Sequence, residues 1–152
     1  MSDCGNPDTR MPLKLHVSFT LAAMLLLAGC TSSPSKPQNQ QVLPECGWLP
    51  NCINSQSGRG AQASEPIRAN VEQWQNLKAR IATQQDWEIT VNDGNFMQAI
   101  VKTPMMRFRD DAQLLFLPDD QLIQVRSSSR LGLSDLGTNA RRVETLRDQL
   151  MP

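Results

Sequence analysis

Between Trp87 and Ser127 the chain alternates apolar and polar residues in short runs broken by turns, and this pattern leaves few folds open. Trp87, Ile89 and Val91 alternate with Glu88, Thr90 and Asn92, which is strand spacing. Asn92-Asp93-Gly94-Asn95 reads as a hairpin turn, because Asp-Gly tolerates positive φ, and residues 96–102 return as a second strand. Thr103-Pro104 interrupts, since proline lacks a ladder donor. Met106, Phe108, Asp110, Ala112, Leu114 and Phe116 share one face of a third extended run. Pro118-Asp119-Asp120 turns the chain into a fourth strand, 122–127, with Ile123 and Val125 on one face.

Helical spacing flanks the strands. Val71, Trp74, Leu77, Lys78 and Ile81 form a stripe that predicts a helix over residues 68–83. Ala140, Val143, Leu146 and Leu150 predict a second, capped by Thr138 or Asn139. Residues 54–66 read as loop. The expected fold is α+β and two-layered: a four-stranded, mostly antiparallel sheet with both helices on one face, in the order α-β-β-β-β-α.

The longest apolar run, residues 17–28, is shorter than the about 20 residues a spanning helix needs. Lys14 precedes it and small residues end it, the layout of a secretory signal. Its end, Leu27-Ala28-Gly29-Cys30, resembles the lipobox of bacterial lipoproteins. That resemblance implies acylation of Cys30, by palmitate among other chains, and cleavage before it. Each buried methylene contributes about 0.8 kcal/mol, so two or three chains hold firmly to a membrane. Thr31, where an aspartate would favour the inner membrane, implies the periplasmic face of the outer membrane. Two aspartates before Arg10 do not suit a signal, so translation is expected to start at Met11. The expected organisation is a signal peptide over 1–29, a lipidated cysteine and flexible tether over 30–45, and one domain over 46–152.

Cys46 and Cys52 remain. In an oxidising envelope such a pair reads as a disulfide closing a short loop turned by Gly47 and Pro50. Redox motifs usually space their thiols by two residues, and metal sites want four ligands, typically including histidine. The only histidine, His16, lies before Cys30.

That inventory excludes much chemistry. Without a histidine after Cys30, Ser-His-Asp and Cys-His hydrolysis are excluded, and no Gly-rich phosphate loop occurs. Fifteen basic residues balance fifteen acidic ones, which argues against nucleic-acid binding. No metal or cofactor is expected. A general acid or base would be a carboxylate or lysine, and Asp110-Asp111 is the main candidate. Adjacent strand residues point to opposite faces, so the two should not share a pocket. Asp110, on the core side, needs a partner, and Arg126 or Arg130 is the expected one.

Residues 126–142 hold the densest run of hydrogen-bonding side chains. Arg126, Ser128, Arg130, Ser134, Asp135, Asn139 and Arg142 offer guanidinium forks, hydroxyls and a helix N-terminus to an anion. They equally fit a self-bracing loop, with Ser134, Asp135 and Asn139 capping it and Gly132 and Gly137 supplying positive φ.

Three islands carry a wider likeness: Pro50-Asn51-Cys52-Ile53-Asn54-Ser55-Gln56, then Phe108-Arg109-Asp110-Asp111, then Val125 to Asn139 with Arg142-Val143-Glu144. Together they resemble the bacterial domain-of-unknown-function 1499 family over roughly residues 46–150. The chain departs from that family at Ala112-Gln113, where an apolar β-branched residue and glutamate are usual. The resemblance implies an envelope or membrane association and no established activity. The expected function is a non-catalytic, lipid-anchored envelope protein binding a partner protein or small anionic ligand through 126–142. The alternatives are a carboxylate- or metal-assisted hydrolase using Asp110, Asp111 and Asp135, and a structural scaffold without ligand.

Overall fold

The computed structural model describes residues 42–150. The expectations for the leader, the start at Met11, Cys30 and the tether up to Gln41 lie outside these residues.

Six strands form one antiparallel sheet: β1 (Cys52–Asn54), β2 (Ile67–Arg68), β3 (Trp87–Asp93), β4 (Phe96–Lys102), β5 (Arg109–Leu117) and β6 (Leu122–Ser129). Their order is β1-β6-β5-β4-β3, with β2 also paired to β6. Helix α1 spans Val71–Ala82 and helix α2 spans Thr138–Asp148. The α+β class, the two helices and the antiparallel pairing agree with the sequence expectation; the strand count of four does not. The two additional strands, β1 and β2, are the shortest. They lie on the same edge of β6, pairing Cys52 to Ser128 and Ile67 to Ile123. Strands this short show no period of their own, so their pairing comes from the edge that β6 offers.

Local chemistry sets the boundaries. Helix α1 begins at Val71 because Asn70 caps it: its side chain accepts from the Gln73 amide, and the Gln73 side chain accepts from the Asn70 amide. Arg68, expected to open the helix, belongs to the sheet with Ile67 instead. The β3–β4 turn carries Gly94 at φ 56°, a conformation glycine adopts freely. The third extended run starts later than expected, at Arg109. Residues 103–108 fold as a turn, in which the Arg107 amide donates to the Thr103 carbonyl.

Trp74, Leu77 and Ile81 of α1 meet Val143 and Leu146 of α2 over Met97, Leu114, Phe116, Ile123 and Val125 of the sheet. Trp74 stacks on Phe116 with ring centroids 5.8 Å apart. Burying each such side chain contributes about 1.5–3 kcal/mol, so this face fixes the strand register. Both helices therefore cover one face. On the other, Leu43 packs with Phe96 and Leu115, so domain packing reaches back into the stretch read as tether.

Candidate functional site

Strand parity sends Asp110 and Asp111 to opposite faces. Asp110 points to the helices with Ala112, Leu114 and Phe116, where Arg142 of α2 donates from Nη2 to its Oδ2 at 2.7 Å. The same guanidinium donates from Nη1 to Ser127 Oγ and Asn139 Oδ1, both at 2.7 Å. Asn139 in turn donates to the Asn51 carbonyl at 2.9 Å and to Ser129 Oγ at 3.1 Å. This buried network ties β1, β5, β6 and α2 together. It corrects the expected partner of Asp110, which is Arg142 and neither Arg126 nor Arg130. It also replaces Ser128, which lies on the other face, with Ser127.

Asp111 meets Arg130 on that other face in a bidentate pair: Nε to Oδ2 at 3.0 Å and Nη2 to Oδ1 at 2.8 Å. That hydrogen bond to Asp111 raises the Arg130 pKa above its ordinary value. Arg126 stands nearby on β6, opposite Gln113 of β5. Burial lowers its pKa, and the charge of Asp111 partly restores it.

Residues 130–137 brace themselves. Asp135 accepts from the amides of Gly137 at 3.1 Å and Asn139 at 2.8 Å. It serves the first turn of α2 in place of the expected Thr138 or Asn139 cap; the cap position is Gly137, at φ 77°. Gly132 lies at φ 94°, and Ser134 Oγ accepts from the Leu136 amide. Asn51 donates to the Gly132 carbonyl at 3.0 Å, pinning the loop to the residue just before β1.

This loop and the 103–108 turn wall a groove of about 560 Å³, with Asp110 and Ser129 among its lining and Arg141 and Thr138 at its α2 end. The walls are apolar. Met105, Met106, Phe108, Leu131 and Leu136 all stay exposed, Met105 to 91% and Leu136 to 84%. Arg107 in the 103–108 turn and Leu136 in the loop hold left-handed backbone at φ 51°, a strained conformation for side chains of this size.

Cys46 and Cys52 form the expected disulfide, with a Cα–Cα distance of 5.8 Å. It ties the segment before β1 to the sheet edge.

The described domain coincides with a family match: the family described as protein of unknown function, DUF1499, covers residues 42–150. The chain belongs to that family. The match begins one residue before Leu43, where the domain packing also begins, and earlier than the residue 46 expected from the likeness. DUF1499 carries no stated activity, so no residue inherits a role from it. Comparison with curated proteins and with solved structures returns no match.

Sequence reasoning missed Asn51 and Ser127. Both had a signal: Ser127 shares parity with the core residues Ile123 and Val125, and Asn51 lies in the first island of the DUF1499 likeness.

Proposed function

We propose that this chain is a non-catalytic envelope lipoprotein, acylated on Cys30 and held at the periplasmic face of the outer membrane. Its domain docks an apolar segment of an envelope protein in the groove between residues 103–108 and 130–137. The observation that carries the docking is the set of five exposed apolar side chains in the groove walls. Apolar clusters on a surface mark interaction sites more often than isolated side chains do. The two methionines suit a protein partner, because their unbranched side chains adapt to irregular apolar shapes. Thr138, Ser134 and Arg141 supply a polar rim.

The anionic-ligand reading has less support over residues 130–142. Arg130 and Arg142 are engaged by carboxylates, and Arg141 donates to the Leu136 carbonyl and Thr138 Oγ1. The hydrolase reading meets a similar obstacle. Asp110 and Asp111 face opposite ways in ion pairs, and Asp135 is held by backbone amides. Among the described residues no three of His, Cys, Asp and Glu gather as metal ligands.

Photo-crosslinkers placed at Met105, Leu131 and Leu136 test the docking, with Asp119 at the opposite end of the sheet as control. Adducts to a protein from the groove positions and none from Asp119 are expected. Adducts to lipid alone, or equal yields at Asp119, would refute it. Labelled palmitate tests the anchor: incorporation is expected to vanish in Cys30→Ser, and label that survives the substitution would remove that part of the reading.

A further inference from the structure

On the sheet face turned away from both helices, the strand registers set Gln98, Gln113, Arg126 and Asn54 side by side on β4, β5, β6 and β1. All four are buried. Gln113 donates to Gln98 Oε1 at 2.9 Å, and Asn54 is bonded to the Pro44 carbonyl and to the amides of Gln56 and Ser57. Arg126 is different. It is 7% exposed, and among the described residues its Nε and Nη1 have no hydrogen-bond partner. Oε1 of the neighbouring Gln113 has none either.

A buried guanidinium with idle N–H groups is a cost that a fold keeps only if something relieves it. Asp111 does so only at a distance, because both of its oxygens bond Arg130. Glu88 pairs with Lys102 and Arg109 and acts at longer range on Arg130, whereas Asp111 is the charge that acts on Arg126. The Arg126, Arg130 and Asp111 group thus carries one cation in excess.

We propose that Arg126 anchors a buried oxyanion site, separate from the groove, for a small carboxylate with an adjacent hydrogen-bond donor, of the α-hydroxy-acid or α-amino-acid kind. The carboxylate supplies the acceptors that the guanidinium lacks. The adjacent hydroxyl or ammonium supplies the donor that Gln113 Oε1 lacks. Asp111 close by repels dianions and selects a single negative charge. Residues 43–46 form a strap over this face: Leu43 packs on Phe96 and Leu115, the Leu43 amide donates to Gln56 Oε1, and Cys46 is bonded to Cys52. Water exclusion beneath the strap strengthens charge-assisted bonds.

The test uses the full chain, titrated calorimetrically with lactate, acetate and phosphate, and followed in parallel by thermal melting. Saturable lactate binding is expected, about 10-fold tighter than acetate, the factor corresponding to one additional hydrogen bond. Gln113→Leu should erase the lactate preference and leave acetate binding in place. Arg126→Met should abolish lactate and acetate binding and raise the melting temperature of the ligand-free protein, since an uncompensated buried charge is removed. Arg126→Lys keeps the charge without the fork, so weakened binding is expected from it even if the methionine variant fails to fold. No saturable binding of any anion by the wild type, or binding that Arg126→Lys leaves unchanged, overturns the proposal. Phosphate binding without lactate binding overturns the assigned ligand class.

Discussion

Arg142 of α2 and Asp110 of β5 meet at 2.7 Å with both side chains buried, and this contact fixes where the second helix crosses the sheet. Removing one partner of a buried pair strands the other charge. Asp110→Ala and Arg142→Ala are each expected to cost about 3–5 kcal/mol in urea unfolding. The double replacement Asp110→Leu with Arg142→Met should cost less than either single change, because Ser127 and Asn139 still bond each other at 2.7 Å. An Asp110→Ala, Arg142→Ala double variant as unstable as the sum of the two alanine singles would show that the pair is not coupled.

The capping role of Asp135 separates two readings of one helix start. Asp135→Ala should lose about 1 kcal/mol, a typical cap value, while Thr138→Ala should stay within about 0.5 kcal/mol of the parent. The reverse order in thermal or urea melts would return the cap to Thr138.

How much of this was readable in advance follows from the same residues. Opposite faces for Asp110 and Asp111 came from strand parity alone, a property of the backbone. Positive φ at Gly132 and Gly137 came from residue type. The partner of Asp110 did not, because it depends on the angle at which a helix crosses a sheet. Yet Asn139, Arg142, Val143 and Leu146 lie three or four positions apart on α2, so Arg142 shares the core-facing stripe. Strands β1 and β2 left no trace, since three- and two-residue segments exist as strands only once β6 is in place. The apolar groove was hidden for a related reason. Met105, Met106 and Leu136 are distant in sequence and meet only through the 103–108 turn and the loop after β6.

Gly58 offers a stringent check on the 54–66 segment. A Cβ there would run into the backbone carbonyls of Asn54 and Gln62 and the Cα of Ala63. All three are main-chain atoms that cannot swing aside, so Gly58→Ala should destabilise by about 3 kcal/mol, the upper range for overpacking. A melting temperature unchanged by the substitution would contradict this crossing of the chain.

The disulfide closes a loop of six positions in sequence separation. Chain entropy for so short a loop gives about 2.4 kcal/mol, so Cys46→Ser with Cys52→Ser should lower the unfolding free energy by that amount, read as a lower denaturant midpoint. Reductant should have the same effect on the parent and none on the double variant.

The pairing of β6 with both early strands has a bearing on the order of assembly. Hairpins β3–β4, β4–β5 and β5–β6 each close over a few residues, whereas Ser55 and Val125 bond across 70 positions. Loop-closure entropy makes such a union slow, so the ribbon of four strands zips first and its outermost edge waits for the chain's own beginning to return. Cys46 and Cys52, neighbours along the chain, need no such wait. Oxidation can set their small ring while β1 is still solitary, and the piece that seals the sheet arrives already stapled.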